Sequence, residues 1–221
     1  MKLLWKSGTR SWKNGRIRVN NKRICELHCP TNRNLEVVKI NLRTMAVSNK
    51  LKEYSEIKSL ICRAFPKNEQ FPMWLLRTLA VRKSVDFSAY YDGESFCGIS
   101  YTVNNDDLVF VLYLAVNDKI RSKGYGSAIL QCIKQKYPNK VIALNIEPLE
   151  PNSDNYSQRV KRFEFYVRNG FIDTGCKITD NSGNYQILAT TDKFQIAEYK
   201  SAIRKLSFGI YSPKVIPKAT F

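Results

Sequence analysis

LAVNDKIRSKGYGSAIL, residues Leu114 to Leu130, is the stretch on which the reading of this chain turns. Its first residues close the most apolar run in the sequence, Leu108 to Val116, which reads LVFVLYLAV. β-branched, aromatic and aliphatic side chains follow one another there without polar alternation, which predicts a central strand buried on both faces. From about Ser127 to Lys136 the apolar positions Ala128, Ile129, Cys132 and Ile133 recur at helical spacing, and Pro138 ends that helix. A second apolar run, Val141 to Ile146, follows. Strand, helix and strand at these distances make a crossover unit with two parallel strands.

Working outward, Leu35 to Leu42 alternates as a first strand, and Asn49 caps a helix whose stripe runs through Leu51, Tyr54, Ile57, Leu60, Ile61 and Phe65 until Pro66 stops it. Phe71 to Arg82 is a second helix, with Pro72 in its first turn. Val85 to Tyr91 and Ser95 to Val103, joined at Asp92-Gly93-Glu94, form a hairpin, and Asn104 to Asp107 turns into the central strand. Downstream, the polar loop Glu147 to Asn155 leads to a helix from about Tyr156 to Arg168, closed by Asn169-Gly170 as a left-handed cap. Phe171 to Ile178 and Tyr185 to Thr190 form a last hairpin, and Phe194 to Leu206 a last helix before a Pro-punctuated tail. The organisation expected is a basic extension over 1–33, one main domain over 34–192, and a C-terminal helix and tail over 193–221.

The chain has 221 residues, 43% of them hydrophobic, enough for one good core. Its formal net charge is +17, and the first 50 residues hold twelve Lys or Arg against Glu26 and Glu36, so ten of those charges lie there. This extension binds polyanions such as RNA or is a solvated tail, and nucleic acid is expected only through it. Six cysteines, at 25, 29, 62, 97, 132 and 176, form no C-x-x-C pair. Cys25, His28 and Cys29 lack the second half of a metal site, so no metal is expected and the thiols are read as reduced. No apolar run nears the roughly 20 residues that span a bilayer, and a cytoplasmic location is expected, as monomer or homodimer.

Between strand and helix lies Arg121-Ser122-Lys123-Gly124-Tyr125-Gly126, an R-x-x-G-x-G pattern. Glycines let the backbone curl so that several N–H groups converge at a helix start whose dipole favours negative charge, while Arg121 and Lys123 add cations. A diphosphate fits that description. The pattern alone is common; its place at the head of a crossover helix makes it specific. Neither of the two familiar phosphate motifs, G-x-x-x-x-G-K-[ST] and G-x-G-x-x-G with a downstream acid, is present.

Taken with Phe165-Tyr166-Val167-Arg168-Asn169-Gly170-Phe171, the stretch Leu114 to Leu130 resembles the GNAT superfamily of acyl-CoA-dependent N-acetyltransferases, and the element order over about 35 to 192 matches the whole of that fold. The resemblance implies an α/β (α+β) fold: a central mixed, twisted sheet of about six to seven strands, helices on both faces, and a splay between the fourth and fifth strands. It implies acetyl-CoA as cosubstrate and direct attack by a primary amine in a ternary complex. The splayed strand would offer Leu114, Ala115 and Val116 to the pantetheine arm, and Arg121, Ser122, Lys123, Gly124, Tyr125, Gly126 and Ser127 would hold the diphosphate. Tyr166 would give a proton to the departing thiolate. Glu147, at the end of the second parallel strand, is the candidate base, with Glu69 as a substrate-side alternative.

The match has departures. Arg159 stands where many members carry an asparagine that meets the cofactor, so Arg159 or Asn155 is expected to take that contact. Phe110 occupies the position of a catalytic glutamate in histone-type members, which makes that mode of catalysis unexpected here. Phe65, Phe71, Trp74 and Tyr101 line an acceptor cleft or serve as plain core. The acceptor is a small molecule, a protein N-terminus or a lysine, and net charge favours acidic acceptors or N-termini beside acidic residues. Two other readings stay open: a non-catalytic acyl-CoA-binding regulatory protein, and a basic nucleic-acid- or ribosome-associated protein.

Overall fold

The apolar run at 108–116 forms the fourth strand of an eight-stranded mixed sheet. The structure, a computed structural model, describes residues 40–120, 123–180, 183–207, 209 and 211–217; the expected basic extension over 1–33 lies outside them. The strands are β1 (Arg43–Ala46), β2 (Val85–Asp92), β3 (Ser95–Asn104), β4 (Leu108–Val116), β5 (Val141–Ile146), β6 (Ile172–Asp180), β7 (Gly183–Ala189) and β8 (Lys214–Ile216), in the spatial order β1-β2-β3-β4-β5-β7-β6-β8. The helices are α1 (Tyr54–Ala64), α2 (Met73–Leu79), α3 (Tyr125–Lys136), α4 (Tyr156–Arg168) and α5 (Ile196–Leu206). β4 and β5 are the parallel pair, with α3 as their crossover.

Three apolar clusters fill the two faces of the sheet. Ile57, Leu60 and Ile61 of α1 and Leu76 and Leu79 of α2 pack on β2, β3 and the far half of β4. Tyr199, Ala202 and Ile203 of α5 continue that layer over Leu108, Phe110 and Ala143. On the opposite face, Ile129, Leu130 and Ile133 of α3 with Phe163, Phe165 and Tyr166 of α4 cover Val109, Val111, Ile142 and Leu144.

β4 changes parity in mid-course. Val109 and Val111 face α3, and strict alternation would send Tyr113 and Ala115 the same way. Instead Leu114 and Val116 pack on the α3–α4 side, while Tyr113 and Ala115 join the α1–α2 cluster. The cause is a bulge: Tyr101 of β3 pairs with Tyr113 and Thr102 with Val111, leaving Leu112 unmatched. Beyond it β4 also leaves β5. Their pairing covers Leu108↔Val141 to Val111↔Leu144, after which Asn145 and Ile146 of β5 keep only β7. The expected splay thus begins at the bulge.

Three expectations need correction. Of the first strand expected at Leu35 to Leu42, residues 35–39 lie outside the described residues and 40–42 are not strand; the strand that pairs with β2 is Arg43–Ala46, and α1 starts at Tyr54 with no side-chain cap from Asn49. At a sheet edge only alternate backbone groups are paired and little side-chain burial marks the register; Leu42 and Val47, which flank the strand, are the buried residues. The tail supplies an eighth strand, Lys214–Ile216, which extends the edge beside β6.

Candidate active site

Gly124 caps α3 with φ +83, a left-handed conformation that side-chain-bearing residues rarely adopt. Two residues on, Gly126 is needed for space. A Cβ there would meet the Phe165 ring of α4 at 3.0 and 3.2 Å and a Val116 methyl at 3.5 Å. The two glycines therefore turn the chain into α3 and seat its first turn against both β4 and α4. The N–H groups of Tyr125, Gly126 and Ser127 have no carbonyl four residues earlier inside the helix, and no acceptor among the described residues takes them. The Tyr125 side chain is committed elsewhere: it is buried, and its hydroxyl donates to Asp92 at 2.8 Å, a bond that with burial pushes the phenol up to about 12. Its backbone N–H is left for another acceptor. Lys123 is exposed at the turn, while Arg121 and Ser122 lie outside the described residues.

This first turn opens on a cleft of about 1590 Å³. Leu114, Ala115 and Val116 line it, paired with Ser100, Ile99 and Gly98 on one side and free of β5 on the other. The cleft passes through the sheet at the splay. On one face it is bounded by Gly124, Gly126, Ser127, Phe165 and Tyr166; on the other by Phe65, Phe71, Leu76 and Leu206.

Gly98 belongs to this machinery and was not anticipated. A Cβ at that position would lie 2.4 Å from the Ala115 carbonyl oxygen and 3.0 Å from Ile129, so only glycine lets β3 run this close to the splayed end of β4. A lone glycine inside an apolar strand pattern, Phe96-Cys97-Gly98-Ile99, is the sequence signal for such an approach.

Tyr166 is half-buried on α4, with its ring edge-on to Phe165 at 5.1 Å and Phe171 at 5.6 Å. Burial pushes its hydroxyl up to about 12, and the Arg162 charge pulls weakly the other way. No hydrogen-bond partner among the described residues holds the hydroxyl, so at neutral pH it is a protonated donor at the cleft wall. α4 is fixed at the helix end by Gly170, at φ +78, with the Phe171 N–H donating to the Tyr166 carbonyl at 3.0 Å.

Glu147 also reaches the cleft, but both its oxygens are occupied. Arg159 approaches Oε1 at 3.3 Å, Asn155 donates to the same oxygen at 3.2 Å, and Arg162 donates to Oε2 at 2.9 Å. Arg159, only 15% exposed, also donates to Asn155 Oδ1 at 2.7 Å and to the Pro148 carbonyl at 2.8 Å. This network ties the Glu147–Asn155 loop to the first turns of α4. Of its members, Glu147, Asn155 and Arg162 line the cleft.

Glu69 lies between α1 and α2 on the opposite side of the gap, accepting a hydrogen bond from Tyr185 of β7 at 2.7 Å. Phe65 and Phe71 line the cleft there. Tyr101 does not: it is wholly buried and donates to the Leu76 carbonyl at 3.1 Å, as core. Trp74 is 66% exposed. Phe110 packs edge-on against Tyr199 at 5.4 Å. Among the described residues no group of His, Cys, Asp or Glu could hold a metal ion, and no helix is long and apolar enough to cross a membrane.

No family model matches the sequence, and no curated protein matches it. Among solved structures the chain is similar to a GNAT-family acetyltransferase from Bacteroides thetaiotaomicron, with a TM-score of 0.61 and 18% identity over 76% of this chain and 99% of the other. It is also similar to an aminoglycoside 6'-N-acetyltransferase solved with coenzyme A (TM-score 0.53, 12% identity, 69% of this chain and 98% of the other). A third likeness is to the aminoglycoside 6'-N-acetyltransferase of Enterococcus faecium (TM-score 0.51, 12% identity, 69% and 98%). The chain has the fold of the GNAT acetyltransferases.

Proposed function

We propose that this protein transfers the acetyl group of acetyl-CoA to a primary amine by direct attack in a ternary complex. The observation that carries the proposal is that one cleft joins the open first turn of α3, the splayed end of β4 and the protonated Tyr166 hydroxyl.

The residues present suit the cosubstrate. A left-handed Gly124 and the N–H groups of Tyr125, Gly126 and Ser127 form a positive concavity for a diphosphate, with Lys123 beside it. Arg121 and Ser122 are proposed to complete that turn. Leu114 to Val116 offer backbone groups that β5 leaves unpaired, the partners an amide-bearing pantetheine arm needs. Bound acetyl-CoA supplies an already activated acyl group. What remains for the protein is to align a neutral amine, to place a backbone N–H near Val116 where negative charge develops, and to hold a proton at Tyr166 Oη for the leaving sulfur.

Two carboxylates line the cleft where the amine must lose its proton, Glu147 and Glu69. Glu147, the candidate base at the donor side, is already engaged by two guanidinium groups. Those contacts support a role in fixing the α4 side of the cleft, with Arg159 and Asn155 acting through that network. Glu69 has an open oxygen on the acceptor side.

The test is release of free CoA thiol from acetyl-CoA with a panel of amines. Tyr166→Phe is expected to lower kcat by about a hundredfold or more while leaving CoA affinity unchanged. Tight binding of acetyl-CoA with no thiol release for any amine would replace catalysis by the binding-only reading.

A further inference from the structure

Charge pairing around the cleft leaves one carboxylate over. Glu147 is engaged by Arg159 and Arg162, and Arg63 by Glu56 and Asp118. Glu69 forms no ion pair among the described residues, and its Oε2 has no hydrogen-bond partner among them. Its position is nevertheless fixed from two strands. Tyr185 of β7 donates to Oε1 at 2.7 Å, and Tyr113 of β4 donates to the Glu69 carbonyl while accepting from the Phe71 N–H at 3.0 Å. Phe65, Phe71, Leu75 and Leu206 form the apolar part of the surrounding wall, with the Phe65 and Tyr113 ring centres 4.5 Å apart; Asn68, Gln70 and Tyr211 also line it.

We propose that this half of the cleft receives a single primary ammonium carried on an apolar, aromatic-sized body, and that Glu69 recognises the ammonium. The inference rests on the acetyl-transfer reading of the cleft. A half-buried carboxylate held by one phenol among aromatic walls gains most from a charge-assisted N–H···O bond, and the same ring faces attract a cation. A second ammonium is what this arm disfavours: it would lose hydration against Phe65, Phe71 and Leu206, and among the described lining residues the other carboxylate, Glu147, is already paired. Polyamines and aminoglycosides bring several ammonium groups, and an acidic peptide would set its carboxylates against Glu69. The local charge thus points away from the acidic acceptors favoured by net charge, most of which lies in the first 50 residues. Pairing with Glu69 also stabilises the charged form of the amine, so the carboxylate contributes to binding more than to the rate of attack.

The experiment measures kcat and KM with acetyl-CoA for 2-phenylethylamine, a peptide with an apolar first residue, spermidine, kanamycin and a peptide with an acidic first residue. Calorimetric binding of 2-phenylethylamine to the protein saturated with CoA is measured alongside. Highest kcat/KM is expected for 2-phenylethylamine or the apolar-first peptide, and the comparison of those two separates a small-molecule from a polypeptide source. Glu69→Gln is expected to raise KM, and the calorimetric Kd, at least tenfold with a smaller change in kcat; Tyr185→Phe shifts both in the same direction by a lesser factor. CoA affinity, measured separately on each variant, stays at the wild-type value, which keeps this claim distinct from the cosubstrate claim. Preference for spermidine, kanamycin or the acidic peptide would overturn the proposal, as would a Glu69→Gln variant whose KM and Kd match wild type.

Discussion

Tyr166 and Glu147 were assigned neighbouring chemical roles, and their surroundings separate them. The Tyr166 hydroxyl, without a partner among the described residues and pushed up to about 12 by burial, keeps its proton across the working range. The kcat of the wild-type protein is therefore expected to show no alkaline loss from this group below about pH 11; a descending limb centred near pH 8 that vanishes in Tyr166→Phe would contradict that. Glu147 instead anchors a network. Glu147→Ala leaves Arg159, 15% exposed, with only the more distant Glu150 carboxylate at 3.4 Å, and is expected to destabilise the fold by about 1–3 kcal/mol. Glu147→Gln, which keeps a hydrogen-bond acceptor, should cost less in chemical denaturation and retain most activity. Loss of all turnover in a folded Glu147→Gln variant, with CoA affinity intact, would return the base role to this residue.

At the scale of elements, the cleft depends on close approaches that glycines permit. Gly98→Val is expected to be severely destabilising, because its Cβ would sit 2.4 Å from a backbone carbonyl that cannot swing away. Gly126→Ala asks less: the Phe165 ring must retreat by a few tenths of an ångström, so the fold persists and CoA affinity falls as the first turn of α3 shifts. Thermal melts of both variants with CoA titration of the second check this pair. Equal stability of Gly98→Val and wild type would remove the argument. The same elements show what the sequence made legible. β4, β5 and α4 match their expected limits because unbroken apolar runs and a Gly170 cap mark them. β1, which begins beyond the described part of the expected strand, and β8, which no pattern marked, are edge strands and carry little burial signal. The glycine turn and Tyr166 were readable as local motifs. The pairing of Glu147 with Arg159 and Arg162, and of Glu69 with Tyr185 across 116 positions, was not, since spacing along the chain does not encode which side chains meet.

For the molecule as a whole, the bulge at Leu112 does two things at once. It turns Leu114 and Val116 toward α3 and α4 and opens the gap through which both faces of the sheet share one cleft. Buried tyrosines surround that architecture: the hydroxyls of Tyr90, Tyr113 and Tyr166 are pushed up to about 12, burial being the largest cause for each. In the unfolded chain a tyrosine titrates near 10. Between those values the folded protein holds protons that the unfolded chain releases, so this contribution to stability is complete below about pH 10 and is lost as the pH rises toward 12. Melting temperatures are expected to fall steeply above about pH 10, and a flat profile to pH 12 would contradict the burial of these groups.

The central claim is that the amides opening α3 grip a diphosphate. Calorimetric titration of the protein with CoA, and separately with pantetheine, which lacks the diphosphate, tests it most directly. CoA is expected to bind at least tenfold more tightly than pantetheine, with the difference shrinking in Gly124→Val; equal affinities, or no heat on adding CoA, would contradict it.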